Sequence, residues 1–254
     1  MIEVPAERDH KADALVDEGW EALDTGLNEL AADKGRKALE LSPWSVDAFV
    51  VLAHAERAAP VRIALLREGV RAGETVLADQ LKAWRQNDYW LDLDTRPYMR
   101  AVHFLATELW ARGIGGDRDE AARLVAKLLK LNPNDNQGVR MLAYGWYPLL
   151  GKWDALTSVL RRYRKEQRTE TAFALALDAW RNSDPKATDL LAAAIAINAH
   201  VAGLLLARRA PKPYEGESVV FASREEAQAY VEQGHGVWRL VPGAIDWLRQ
   251  TSKG

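Results

Sequence analysis

The chain has 254 residues and a formal net charge of −2, with 34 lysines and arginines against 36 aspartates and glutamates. This balance argues against wholesale nucleic-acid binding, which needs a clear basic excess to neutralise phosphates. Cysteine is absent, which excludes disulfides, thiolate metal sites and a cysteine nucleophile. The apolar content is sufficient for a core in one elongated repeat domain or in one to two compact domains.

The sequence contains no uninterrupted apolar run of the length needed to cross a membrane. The nearest candidate, residues 190–207, is interrupted by Asn198 and His200. The first residues include Glu3, Glu7 and Asp9, which is the wrong charge for a secretory signal. These features predict a cytoplasmic protein without a membrane partner.

Helical periodicity extends along most of the chain. Apolar residues recur at helical spacing over residues 12–22 and 30–41, and Pro43 ends the second segment. Ser45 is the predicted N-cap of a third helix, and Pro60 lies in the first turn of a fourth helix that ends near residue 77. The sequence therefore predicts an all-α fold.

The middle of the chain predicts a pair of helices. Thr95 caps the first of them, residues 113–116 form the turn, Asp117 caps the second, and Pro133 ends it. The residues predicted to form the buried stripes are Tyr98, Val102, Leu105, Ala106, either Leu109 or Trp110, Ala121, Leu124, Val125, Leu128 and Leu131. Because two helices cannot bury these stripes alone, they are expected to stack on neighbouring helices.

Two helices end in nearly the same way, with Ala-Leu-Glu-Leu-Ser-Pro at residues 38–43 and Leu-Leu-Lys-Leu-Asn-Pro at residues 128–133. Both endings resemble the end of a tetratricopeptide repeat, a helix-turn-helix unit of about 34 residues. The resemblance places Ala121 at the small position of the second helix. Pro43 and Pro133 are 90 residues apart, which is not a multiple of this period. Residues 60–96 are therefore expected to contain an over-long or irregular unit.

The resemblance covers roughly residues 12–200, and a further, weaker unit is predicted over residues 171–198. It implies a short solenoid of helical hairpins, with an irregular tetratricopeptide-like array over residues 1–207. A non-repeating helical bundle is the alternative. Residues 208–222 are the predicted connector, and residues 223–254 form a C-terminal helical segment that caps the array, with a break at residues 234–236.

Two polar segments of the middle region resemble signatures, TRPYMR and NPNDNQG(I/V)R, that recur in a group of bacterial tetratricopeptide-like proteins. They are Thr-Arg-Pro-Tyr-Met-Arg at residues 95–100 and Asn-Pro-Asn-Asp-Asn-Gln-Gly-Val-Arg at residues 132–140. The resemblance implies an array with an attached C-terminal helical segment, and it implies no activity. The candidate groove residues in and after these segments are Arg96, Arg100, Asn136, Arg140, Tyr144 and Tyr147.

These candidates have a binding interpretation and a structural one. The arginines could clamp an acidic group, Asn136 could bind a peptide backbone or carboxylate, and the tyrosines could anchor a peptide. Alternatively, Asp135 and the neighbouring amides close a turn and cap the next helix, the arginines pair with carboxylates on nearby helices, and the aromatic residues fill gaps between repeats.

No nucleophile elbow, phosphate loop, dinucleotide fingerprint or metal-ligand spacing occurs, so neither cofactor nor metal is predicted. The sequence favours a non-catalytic helical repeat module, an adaptor or scaffold that binds a protein or peptide. The alternative is a small-ligand or catalytic pocket where Trp90, Asp92, Arg96 and His103 converge. The acidic residues 1–30 and the basic residues 161–168 also suggest self-association into a homo-oligomer.

Overall fold

The computed structural model describes residues 10–83, 89–212, 214, 216 and 219–252. Three residues of the predicted acidic N-terminal cluster, Glu3, Glu7 and Asp9, lie outside the described residues, as do positions 213, 215, 217 and 218 of the predicted connector. Within the described ranges every regular element is a helix and no β-strand occurs. The predicted all-α class is therefore confirmed.

The chain divides into two compact units, Met1–Val139 and Arg140–Gly254. The helices of the first unit are α1 (His10–Asp24), α2 (Asn28–Leu41), α3 (Val46–Ala55), α4 (Ala59–Val76), α5 (Ala78–Ala83), α6 (Arg96–Arg112) and α7 (Asp117–Leu131). The helices of the second unit are α8 (Arg140–Leu149), α9 (Trp153–Tyr163), α10 (Thr169–Arg181), α11 (Ala187–Ile197), α12 (His200–Leu206), α13 (Arg224–Leu240) and α14 (Ala244–Thr251). The predicted domain boundaries at residues 207 and 222 stay predictions.

The first unit is built from helix pairs. Helix α1 packs on α2, α3 on α4, and α6 on α7, and the second helix of one pair contacts the first helix of the next. The first helices α1, α3 and α6 also contact one another in turn. Small residues allow these helices to approach closely, and Ala31, Ala38, Ala48, Ala101 and Ala121 are completely buried.

The predicted stripes of α6 and α7 are buried. Leu105, Ala106, Ala121, Val125 and Leu128 are all at most 2% exposed, as expected for the interior of a helix pair. Gly113 ends α6 in the left-handed region at φ 60°, where glycine has no steric penalty.

The prediction that Asp117 caps α7 is wrong, because Gly116 is the N-cap and no side chain caps this helix. Asp117 is the first helical residue and bonds backward into the turn. Its carboxylate accepts from the backbone N–H of Ile114 at 3.2 Å and from Nε and Nη2 of Arg112 at 2.7 Å. The hydrogen bond from Arg112 is the main reason that the pKa of Asp117 is lowered. The side chain of Asp117 therefore stabilises the turn between α6 and α7, because it bonds to Arg112 at the end of α6 and to Ile114 within the turn.

The segment between α4 and α6 is irregular, in agreement with the expectation for residues 60–96. Helix α4 has 18 residues, α5 has six, and a 3₁₀ turn at Leu93–Thr95 leads into α6. Thr95 lies at the N-cap of α6 but does not cap it with its side chain. Its hydroxyl instead donates to the backbone oxygens of Tyr89 and Asp92, which fixes the entry into α6.

The second unit has an aromatic core contributed by α10, α13 and α14. The ring of Phe173 lies 5.7 Å from that of Tyr230 and 6.3 Å from that of Trp238, which lies 6.1 Å from Trp247. Helix α13 contacts α8, α10 and α12, so part of the predicted C-terminal segment belongs to this core.

The predicted break at residues 234–236 is wrong, because α13 continues from Arg224 to Leu240. Gly234 is buried, and the ring of Tyr230 occupies the space beside it where a side chain would otherwise lie. The apolar stripe continues beyond this glycine through Val237 and Trp238, both buried. Packing therefore outweighs the weak helix propensity of two glycines.

In the described residues no single helix is long and apolar enough to cross a membrane. Helices α11 and α12 meet the length and composition criteria only as a pair, and a bend of 112° separates them. Leu191, Ala194, Val201 and Leu205 from this pair are buried in the core of the second unit.

Candidate functional site

An aromatic row, defined by Trp20, His54 and Phe104, extends across the three first helices of the first unit. The ring of His54 on α3 lies 5.4 Å from that of Trp20 on α1 and 4.4 Å from that of Phe104 on α6, both in edge-on geometry. Trp20 and Phe104 are half-buried and His54 is exposed. The row is therefore an apolar surface that solvent, or a partner, can reach.

An ion pair lies beside this row. Nη1 of Arg100 donates to both carboxylate oxygens of Asp47 at 2.9 Å, and the guanidinium lies 5.7 Å from the ring centroid of Trp20. The side chain of Arg100 is 38% exposed and that of Asp47 is 15% exposed. Arg100 and Phe104 are four residues apart and share a face of α6. The ion pair thus connects α3 and α6 and neutralises the cation nearest to the row.

Carboxylates flank the row on α1. Asp13, Asp17, Trp20 and Asp24 are spaced by four, three and four residues, which places them on one helix face. Asp17 and Asp24 are exposed, and Asp13 is half-buried beside His10 at 3.9 Å. The first unit as a whole has 24 acidic and 18 basic residues. The surface around the aromatic row is therefore negative.

The second unit contains a cavity of about 230 Å³ between α8, α9, α10 and α13. Its wall is mainly apolar and aromatic, and includes Tyr144, Leu156, Leu177, Tyr230 and Val237. Both tyrosine hydroxyls have hydrogen-bond partners behind the lining, on Thr171 and Trp238. The hydroxyl of Tyr144 lies 3.2 Å from that of Thr171, and Nε1 of Trp238 donates to the hydroxyl of Tyr230 at 2.9 Å. Both hydroxyls are therefore engaged within the protein.

Glu170 is the acidic residue of the cavity wall. Its Oε2 atom is buried and has no hydrogen-bond partner among the described residues. Burial is the main cause that raises the pKa of this carboxyl, and the charge of Glu226 raises it further. Its own backbone N–H, Arg168 and Arg140 act in the opposite direction. A buried acceptor of this kind is costly to the free protein, since it has lost water without gaining a donor.

Two of the predicted groove residues, Arg96 and Arg100, bond within the first unit. Arg96 lies 4.8 Å from the ring centroid of Trp90, and its Nε donates to the backbone oxygen of Trp90 at 3.1 Å. Arg100 pairs with Asp47, as described above. Arg100 therefore pairs with a carboxylate of a nearby helix, as the structural interpretation predicts, whereas Arg96 contacts Trp90 rather than a carboxylate.

Asn136 belongs to a tight turn. Its Nδ2 donates to Oδ1 of Asn132 at 3.0 Å, and its side chain is exposed. The preceding residue, Asp135, adopts a left-handed φ of 49°, and its Oδ1 accepts from the backbone N–H of Val139 at 2.7 Å. These bonds close the turn in the way expected of an Asx residue.

The remaining groove candidates are buried in the second unit. Arg140 is 7% exposed, pairs with Glu166 at 2.7 Å and lies 5.1 Å from the ring centroid of Tyr163. Tyr144 lines the cavity. Tyr147 is 3% exposed, and burial raises its pKa to about 12. The sequence candidates therefore contribute Tyr144 to the cavity and Arg100 to the surface beside the aromatic row.

The alternative pocket at residues 90–103 consists of residues with local contacts. Asp92 caps the 3₁₀ turn by accepting from the backbone N–H of Asp94 at 3.0 Å. His103 is half-buried, and burial lowers its pKa while Asp135 opposes that effect. The 230 Å³ cavity includes none of Trp90, Asp92, Arg96 and His103. Among the described residues, no group of three or more His, Asp or Glu side chains is arranged to hold a metal ion.

Sequence reasoning missed the most informative residues of both sites. No sequence pattern predicts a site role for Asp47 or Trp20. Phe104 follows His103, and no local pattern marks it as part of a site. Glu170 starts an apolar helix, where an acidic residue is common at an exposed N-terminus. The order in which helices pack is what brings these side chains together.

The turn at residues 132–138 offers a direct test of the structural interpretation. Replacing Asp135 with alanine removes the hydrogen bond from the backbone N–H of Val139. It also leaves alanine, which has no polar side chain, at a positive φ. We expect a loss of about 2 kcal/mol in the free energy of unfolding, measured by urea denaturation. Asn136→Ala is the control, and we expect a loss below about 1 kcal/mol because this residue is exposed. Equal losses would contradict the special role of Asp135.

Comparison with known proteins does not assign a family. The sequence matches no protein-family model, and it matches no curated protein.

Proposed function

We propose that this protein is a non-catalytic binding module whose first helices α1, α3 and α6 bind a basic peptide or protein segment. The observation that carries the proposal is the aromatic row, in which half-buried or exposed rings of three successive helices are in contact. Aromatic side chains at a partly buried surface supply large contact area at low entropic cost, and they dominate the energy of many interfaces.

The architecture that we propose with this function is tetratricopeptide-like. The pairing of α1 with α2, α3 with α4 and α6 with α7, and the contacts between successive first helices, support this proposal. In such stacks the first helices form a continuous surface, because each pair contacts only its neighbours. The irregular segment that contains α5 lies between the second and third pairs.

Charge determines the class of partner. The face of α1 carries Asp13, Asp17 and Asp24 around Trp20, and the nearby Arg100 is neutralised by Asp47. A lysine or arginine of a partner can bond to the exposed carboxylates, while an apolar side chain lies on the rings of Trp20 and Phe104. We therefore propose a positively charged segment that contains at least one apolar anchor.

Selection from a displayed library of random 12-residue peptides tests this function. We expect the peptides recovered on the wild-type protein to be enriched in lysine and arginine. Their affinity should fall at least about tenfold for Trp20→Ala and for Asp17→Lys. The matched control is Trp110→Ala, which removes a tryptophan of α6 that lies against Arg118 with 5.2 Å between guanidinium and ring centroid.

Two results would contradict the proposal. In the first, no peptide is enriched above the level seen on an unrelated protein. In the second, recovered peptides bind Trp20→Ala as tightly as the wild type, which would place the binding surface elsewhere. Circular dichroism of each variant establishes that a lost affinity is not a lost fold.

A further inference from the structure

A second binding site is indicated by the cavity of the second unit, and it does not depend on the proposed peptide surface. The cavity combines three features of its lining. Its wall is mainly apolar, it contains two tyrosine rings, and it includes the acidic residue Glu170. Ligand sites are typically apolar clefts in which a few polar groups fix the orientation of the ligand.

We propose that this cavity binds a small primary amine with an apolar body, whose ammonium group pairs with the carboxylate of Glu170. An ammonium group offers this carboxylate hydrogen-bond donors and a compensating positive charge. The faces of Tyr144 and Tyr230 add to the preference for a cation, because aromatic rings attract positive charge. Leu156, Leu177 and Val237 cover the apolar body of the ligand.

The size and entrance of the cavity limit the ligand. A volume of about 230 Å³ is below the roughly 300–1,000 Å³ of cavities that hold drug-sized molecules, so the ligand has a single ring or a short chain. Gln233 belongs to the cavity lining and is exposed, whereas Leu156 and Val237 are almost completely buried. The side chain of Gln233 therefore marks the entrance.

Hydrogen-bond donors distinguish Glu170 from Glu226, a buried carboxylate of the same unit. Oε2 of Glu226 accepts from the hydroxyl of Thr169 at 2.6 Å, from Nδ2 of Asn198 at 3.1 Å and from the backbone N–H of Ala222 at 2.8 Å. Glu226 therefore has its donors within the protein. Glu170 has no donor for its Oε2 among the described residues, and it is the acidic residue of the cavity lining.

Titration calorimetry with phenethylamine and 2-phenylethanol tests the proposal. The two probes have nearly the same shape and differ in charge. We expect phenethylamine to bind the wild-type protein with a dissociation constant of roughly 10 µM to 1 mM, and 2-phenylethanol to bind at least tenfold more weakly. In Glu170→Gln, the affinity for phenethylamine should fall at least tenfold and approach that of the alcohol.

Two control variants distinguish binding in the cavity from nonspecific attraction of a cation to the protein. Glu232→Gln removes an exposed carboxylate of α13 next to Gln233, and it should leave the affinity for phenethylamine unchanged. Ala174→Leu fills the cavity, and it should abolish binding of both probes while the helix content is retained. A third probe, Nα-acetyl-lysine methylamide, carries its ammonium group on the lysine side chain of a peptide-like molecule. Comparing its affinity with that of phenethylamine distinguishes a free amine from the lysine side chain of a peptide as the natural source of the ammonium group.

Three outcomes would overturn the inference. One is equal affinity of phenethylamine for the wild type and a folded Glu170→Gln protein. Another is equal affinity of the two probes for the wild type, which would mean that the carboxylate does not select a cation. The third is the absence of binding by either probe at millimolar concentration.

Discussion

Replacing Glu226 with alanine is expected to lower the free energy of unfolding by about 4 kcal/mol. The side chain is 5% exposed, and its Oε2 accepts three hydrogen bonds, from Thr169, Asn198 and Ala222. Removing the carboxylate leaves these three donors in a site that water reaches poorly. The loss follows from the desolvation of the donors more than from the loss of the glutamate itself.

This carboxylate also connects parts of the second unit that are far apart in sequence. Thr169 begins α10, Asn198 follows α11, and Glu226 lies in the first turn of α13, where Ser223 accepts from its backbone N–H at 3.1 Å. The Ser-x-x-Glu spacing is that of a capping box, but the glutamate side chain bonds to Ala222 instead of Ser223. Its removal therefore loosens the start of α13 and its attachment to α10.

Urea denaturation followed by circular dichroism measures this effect, with the slope of the transition compared between variants. Glu226→Gln should give a smaller loss of about 2 kcal/mol, because an amide oxygen can still accept. Glu170→Gln is the matched control in the same unit, and it should be neutral or stabilising by up to about 1 kcal/mol. It removes a buried charge whose Oε2 lacks a donor. A Glu226→Ala protein as stable as the wild type would contradict the proposed network.

The contrast between Glu226 and Glu170 shows where sequence information ends. Both are acidic residues in the first turn of a helix, and this pattern predicts exposed carboxylates that interact with the helix dipole. In the structure Glu226 is buried and Glu170 is half-buried against the cavity of the second unit. Because the donors of Glu226 lie 57 and 28 residues away along the chain, no local pattern identifies which carboxylate is satisfied.

The helices themselves were largely predictable from local patterns. The periodicity of α6 and α7 indicated which residues are buried, and Pro43 and Pro133 follow the helices that they were expected to end. The polar signature residues were harder to interpret. Arg100 binds Asp47, which precedes it by 53 residues, and Arg140 binds Glu166. The sequence gives charge and spacing along a helix, whereas the partner depends on which helices become neighbours.

A substitution at Gly73 is expected to have the largest effect on the first unit. Gly73 lies in α4, and a β-carbon built on it would be 2.6 Å from Cδ2 and 3.1 Å from Cβ of Tyr98. Tyr98 is completely buried in α6 and cannot move aside without disturbing its neighbours. We expect Gly73→Val to lower the free energy of unfolding by about 3 kcal/mol, because the cost of overpacking exceeds any gain in helix propensity.

Gly203 provides the matched control. It lies inside α12, it is exposed, and a β-carbon there would meet no atom within 4 Å. Gly203→Val should therefore change the free energy of unfolding by less than about 0.5 kcal/mol, while Gly203→Ala should raise it by up to about 1 kcal/mol. Both glycines are helical and neither has a positive φ, so the difference between them isolates the effect of the neighbouring helix. If Gly73→Val and Gly203→Val proved equally stable, the close approach of α4 and α6 at Tyr98 would be refuted. The pairing that aligns the first helices beneath the aromatic row would then need revision.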